Sequence, residues 1–501
     1  FFLLIGYIIS NFAQPVQPQL SNNPSSLPQS ANSRPLIIEP NEKWDSVPED
    51  IRNKNSFKRL EWFYRTRENN EGVFPKSFIQ EQKIEELSKI KTFAQKGNKI
   101  QTTSDMWINI GPKAIDMSSS FIQHWGKVSG RVRGVAVHPN DPNTVYIGAA
   151  AGGIWKTVDG GDNWTDMSGD LNLLTFGAIA IDPSNPNTVY AGTGESIASF
   201  NTVTFEGDGL YKSTDGGVSW TKLTNGIGTQ TQFADIEVSP HNSNIILAAL
   251  GSGNWNNPFP SNEGVWRSTD GGATWTRVIN QSDAFDVAFH PTDTTIAYAA
   301  TGGKNVNGGF FVSSNSGSTW AQSNTGLPAP NLIRRIQFSV SPSNPDIIYS
   351  VINNDASFPS GHTTVAYKST NAGVNWSQIS AGVNIAGSYD GTIVSDQGSY
   401  DLCLDVNPTN SDNVFFGNVE ISKTTDGSNI SFLRKSPPTF TNAGAWDAPM
   451  HVDIHKIVYS PSNSNIIYVG CDGGIYKSTD GGSTWAHKNN DINTIQFYNI
   501  A

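Results

Sequence analysis

Cysteine is nearly absent: the chain of 501 residues has only Cys403 and Cys471. That excludes a disulfide-built scaffold and a four-cysteine zinc site. The pair is left with two readings, a bridge or two buried thiols. Charge is also scarce, at 15% of residues, which argues against a disordered polyelectrolyte. Basic residues are the minority and the net charge is -11. The chain therefore lacks the electrostatic footprint of a phosphate-backbone binder, and no nucleic-acid partner is expected. No apolar run reaches the roughly 20 residues of a spanning helix, so no transmembrane segment is expected either.

The sequence opens without a methionine. Phe1-Phe2-Leu3-Leu4-Ile5 and the residues to Ala13 read as the apolar stretch of a clipped secretory signal, residues 1–13. Residues 14–40, rich in Pro, Ser, Asn and Gln, read as a linker. Residues 41–100 hold the one helical pattern, with Phe57, Leu60 and Phe63 at helical spacing and Gly97 as a stop. Glycine is abundant, at 47 residues, and tryptophan numbers 14, a composition of short strands and tight turns.

From residue 105 to 493 the chain repeats itself. An apolar strand ending in Pro, a polar turn and a second apolar strand recur, as in VRGVAVHPNDPNTVYIGA (132–149) and HKIVYSPSNSNIIYVGC (455–471). Seven copies place Pro at 139, 183, 240, 291, 342, 408 and 461, spaced as propeller blades are. After each comes Ser/Thr-x-Asp-x-Gly-x-x-Trp. It carries Asp159 and Trp164, Asp215 and Trp220, Asp270 and Trp275, and Asp480 and Trp485. Asn replaces Asp in two copies, Asn315 with Trp320 and Asn371 with Trp376; the copy around Asp426 has no Trp. The chemistry of this motif is structural. Gly supplies a positive φ, Asp or Asn accepts backbone N–H groups across the turn, and Trp plugs the gap between sheets. Near-identical catalytic sites repeated on one chain make no mechanistic sense.

This pattern resembles the Asp-box of bacterial-neuraminidase-repeat and sortilin-type β-propellers, including secreted bacterial proteins and xyloglucan-cleaving hydrolases. The resemblance implies an all-β Asp-box propeller of seven recognisable four-stranded blades behind a short helical segment. It also implies that an N-terminal strand, for which residues 107–110 are the candidate, closes the ring. Residues 494–501 would begin a further blade or a second propeller.

Function in a propeller gathers at the channel mouths, so polar residues beside the first strands are the candidates. Arg131 and Arg133, Arg334 and Arg335, and Asp401 and Asp405 lie there. They are expected to pair with one another across adjacent strands. Alternation puts His451, Asp453 and His455 on one face of a first strand, the strongest of these candidates. The two histidines would then be about 13 Å apart, too far to share one metal, so no metal or cofactor is expected. Glu195 and Asp472, each ending a second strand beside a loop, are the weak catalytic candidates. The resembling hydrolases place an acid two residues before a Gly-Gly in an early blade; here that position is Ala150, ahead of Gly152-Gly153. A sialidase would further need a Tyr nucleophile paired with Glu, and none stands out.

The expected function is thus a secreted or cell-surface bacterial module that binds a polysaccharide or an extracellular protein without catalysis. A glycoside hydrolase working in a cleft between two propellers, and a structural adhesion protein, are the alternatives.

Overall fold

The computed structural model describes residues 114–494, apart from 118–124, 170, 172, 198–203, 253–261, 281–282, 304–306, 355–362, 380–396 and 434–447. The expected signal, linker, helical segment and closing strand at 107–110 lie outside the described residues, as do residues 495–501.

Seven four-stranded antiparallel sheets follow one another along the chain, each a simple meander. In blade 1 the strands are Val132–Val137, Val145–Ala149, Ile154–Thr157 and Thr165–Asp166; blade 7 runs from Ile454–Ser460 to Ala486–His487. The innermost strand of each blade touches that of the next, and Ile454–Ser460 of blade 7 meets Val132–Val137 of blade 1. The ring is closed. Among the described residues, blades 1 and 7 each draw their four strands from their own stretch of chain. A small hairpin, Ile115–Asp116 paired with Lys127–Val128, precedes blade 1.

The buried apolar side chains form seven clusters, one at every interface between neighbouring blades. This follows from the sequence, because the second strands are apolar on both faces (VYIGA, ILAAL) and each face meets a neighbour. The Asp-box tryptophans lie in these seams. Trp164 Nε1 donates to the Lys488 carbonyl of blade 7, Trp220 Nε1 to Met167 of blade 1, and Trp376 Nε1 to Ser323 of blade 4.

Each box is a local turn. In blade 1, Thr157 Oγ1 donates to Asp159 Oδ1 at 2.7 Å and accepts from Gly161 N, while Asn163 N donates to Asp159. The blade 6 copy is one residue shorter: Asp426 accepts from Ser428 N and Asn429 N, and Ile430 packs in the seam. Where five boxes place a Gly at positive φ, the Asn-containing boxes hold Ser316 and Ala372 at φ 55°. The cysteines are settled as two free, buried thiols, and burial pushes the Cys403 thiol up to about 12.

Candidate functional site at the channel mouth

A meander sorts the two ends of the propeller. The inner strand runs to the Pro turn, the second returns, and the third runs out again to the Asp-box. Pro turns and Asp-boxes therefore share one end, as the bonds from Gly160 N to Asn143 O and from Gly216 N to Asn187 O show. Inner-strand starts and second-strand ends share the other. The candidate functional residues, Asp405 apart, are at this second end, away from every Asp-box.

Most inner strands enter this mouth through a β-bulge. The register shifts between Val132 and Gly134 in blade 1 and between Ile454 and Lys456 in blade 7, which leaves Arg133 and His455 as the extra residues. A bulge re-aims its side chain. In blade 2 the bulged residue is Gly177, where a Cβ would collide with the carbonyls of Phe233 and Gly194.

There the structure joins residues from blades 1, 2, 6 and 7. Glu195, fully buried, takes Arg131 Nη2 at 2.7 Å and Arg133 Nε at 3.3 Å. Arg131 Nη1 donates to Tyr400 Oη at 2.7 Å, and that hydroxyl donates to Asp472 at 2.8 Å. His455 Nε2 lies 2.7 Å from the same carboxylate, and its Nδ1 lies 2.9 Å from Arg133 Nη1. A guanidinium only donates, so Nδ1 must accept and Nε2 carries the proton toward Asp472. Burial, helped by the two arginines, pushes His455 down to about 3, which keeps it neutral. Burial would raise Asp472, but His455, Arg131 and Tyr400 outweigh it and hold the carboxylate below its usual range. Burial and Asp472 raise the Tyr400 hydroxyl far above an ordinary tyrosine. Tyr400 is thus a hydrogen-bond bridge, not an activated nucleophile.

Five of the expected residues converge here: Arg131, Arg133, His455, Glu195 and Asp472. The others do not. His451 and Asp453 share no strand with His455, because Asp453 has φ 63° and the strand begins only at Ile454. His451 instead packs against Trp125, the rings tilted by 48° with centroids 4.5 Å apart. The expected pairing of arginines with Asp401 and Asp405 is also corrected. Arg335 donates to the carbonyls of Tyr400 and Leu402, while Asp405 accepts from Tyr459 N and Ser339 Oγ. Tyr400 escaped the sequence reading because it precedes its strand and blade 6 alone has a tyrosine at that place in the repeat, where blade 1 has Arg131. Its one signal is its place beside Asp401, at the same strand entry as Arg131 in blade 1.

Deeper in the ring, Lys456 of blade 7 reaches Asp235 of blade 3 at 3.1 Å, although these blades are not neighbours. Its ammonium braces the channel among Asp235, Asp286 and Asp405. Near it burial raises Glu237 to about 8, with Asp235 adding to the shift. Among the described residues no group of three or more His, Cys, Asp or Glu is arranged to hold a metal.

The closed ring and its boxes define the class, an Asp-box β-propeller. The family described as "Sortilin-Vps10: Sortilin, neurotensin receptor 3" matches residues 263–432. Curated relatives include "Xyloglucanase Xgh74A" of Acetivibrio thermocellus, 27% identical over 287 residues, which is half of this chain and 32% of that protein. "Xyloglucanase" of Hypocrea jecorina is 25% identical over 233 residues, covering 39% of this chain and 26% of that one. Among solved structures, an ancestral GH74 enzyme superposes with a TM-score of 0.52 at 20% identity, covering 72% of this chain and 46% of that enzyme. The GH74 enzyme of Niastella koreensis gives 0.51 at 20% identity, covering 72% and 55%. The chain therefore carries a propeller of the sortilin-type, xyloglucanase-like superfamily. It spans about a third or less of the curated xyloglucanases it matches.

Proposed function

We propose that this propeller is a non-catalytic recognition module of a secreted or cell-surface bacterial protein, binding polysaccharide at the channel mouth. One observation carries the reading. The two carboxylates that chemistry would need, Glu195 and Asp472, are committed to Arg131, Arg133, His455 and Tyr400. A glycosidase general acid needs a raised carboxyl free to reach the leaving oxygen. Glu195 is sealed, and Asp472 is held ionised. The network instead makes a buried floor at the mouth, where Asp472, at 24% side-chain exposure, and half-buried Asp453 present polar groups. The likeness to xyloglucanases supports a plant or microbial polysaccharide as ligand. Among the described residues no helix is long and apolar enough to cross a membrane, in keeping with export.

Affinity electrophoresis and reducing-sugar assays on xyloglucan and other polysaccharides test this. Retardation without release of sugar is expected. Hydrolysis by the wild type that Asp472→Asn abolishes would overturn it in favour of the second reading, a hydrolase. That reading is favoured by the same relatives and weakened by Ala150, which stands where those enzymes place an acid.

A further inference from the structure

Asp401 is an anomaly. The side chain is fully buried at the start of the blade 6 inner strand, and neither carboxyl oxygen has a protein donor. Arg335 of blade 5, the cation that bears on it, has its terminal nitrogens turned to the carbonyls of Ser399, Tyr400 and Leu402. Arg131 of blade 1 is engaged with Glu195 and Tyr400. What Asp401 does meet is another carboxyl, that of Asp453 from blade 7, whose Oδ1 is likewise buried without a donor. Asp472 lies close by and ionised, and the thiols of Cys403 and Cys471 face the pair as neutral groups. Charging both of two adjoining carboxyls is costly where three of their oxygens are buried without a donor.

The backbone holds this contact in place. Asp453 adopts a left-handed conformation uncommon outside glycine, kept there by its N–H to Val419 O, by Ile454 N to Asn418 O and by Asp472 N to its own carbonyl. The chain thus accepts backbone strain to bring Asp453 onto blade 6.

We propose that Asp401 and Asp453 share one proton across the seam between blades 6 and 7, forming a proton-dependent latch at the channel mouth. With the proton in place, one carboxyl donates to the other and the seam is shut. Its loss at alkaline pH leaves two adjoining carboxylates beside Asp472, and the seam loosens. Burial and the neighbouring carboxylates raise both groups, consistent with retention of the proton through neutral pH.

The sign is opposite to that of an ordinary ion-paired aspartate. The folded state holds a proton that the unfolded chain releases near its normal carboxyl range of about 4, so this contribution falls as pH rises above it. Asp401→Asn supplies an amide donor in place of the shared proton. Its melting temperature should match the wild type near about pH 5 and exceed it by several degrees near about pH 9. Protection of the Asp453 and Ile454 amides against hydrogen exchange should fall at alkaline pH in the wild type, relative to blade 3, and stay constant in Asp401→Asn. Carbon NMR of aspartate-labelled wild type needs no variant to fold: carboxyl signals still protonated at neutral pH are expected, and Asp401→Asn or Asp453→Asn assigns them. Ionisation of every aspartate by about pH 6, or a wild-type-to-variant difference equal at all pH values, would refute the latch.

Discussion

The two ends of the ring are built on different plans. At the Asp-box end one small turn is written seven times, each closed by side chains two to four residues apart and mostly exposed to water. At the mouth a single network draws Arg131, Glu195, Tyr400, His455 and Asp472 from blades 1, 2, 6 and 7, almost wholly out of water. A redundant end tolerates the loss of one copy, and blade 6 already lives with a shortened one. The mouth has no spare part. Removing one member strands a buried charge, whereas removing one box loosens one turn.

Glu195→Gln should therefore show the largest effect of a single change. It leaves two buried guanidiniums facing an amide, and breaking such a pair costs about 3–5 kcal/mol. Denaturant unfolding measures it; a loss below about 1 kcal/mol would mean that the mouth is as dispensable as a box. Trp164→Ala should cost nearly as much, about 3 kcal/mol, since it empties the seam that closes the ring. The same change at the equivalent seam of blade 6, Ile430→Ala, should cost less, because the smaller side chain leaves a smaller cavity. A reversed order would show that ring closure is not a special seam.

Asp159→Ala should cost only about 1 kcal/mol, the net worth of hydrogen bonds made in water. Acid tests the same end collectively. Hydrogen bonds from Asn163 and Thr157 hold Asp159 down to about 2, and Asp215 and Asp480 are held there likewise. Their contribution is present above the unfolded carboxyl range and is lost as pH falls from about 4 to about 2. Melting curves that decline toward both acid and alkali would separate the boxes from the latch. The smallest effect is a gain: Ala372→Gly relieves a left-handed alanine, for at most about 1 kcal/mol.

The difference between the ends also explains what could be read in advance. The boxes, the Pro turns and the blade count were legible because each is a local pattern of a few residues, repeated at blade spacing. Glu195, Asp472, Arg131 and Arg133 were legible as polar residues at strand ends, but not as partners, since 64 residues separate Arg131 from Glu195 and 269 separate it from Tyr400. The strand through His451, Asp453 and His455 was misread for a local reason. Strict alternation assumes a continuous strand, and here a left-handed Asp453 and a bulge at His455 both break it.

The sequence alone determined an all-β ring of seven Asp-box blades, because a hairpin turn and a two-faced apolar strand are short-range decisions that each blade makes for itself. Tertiary structure decided which charges meet. Only closing the ring brings blade 7 beside blade 1 and carries Lys456 across the channel to Asp235, and only the packing of neighbouring blades sets Asp401 against Asp453. Those contacts are set by how the seven seams pack, and among buried groups packing determines which charges must pair and which must keep a proton.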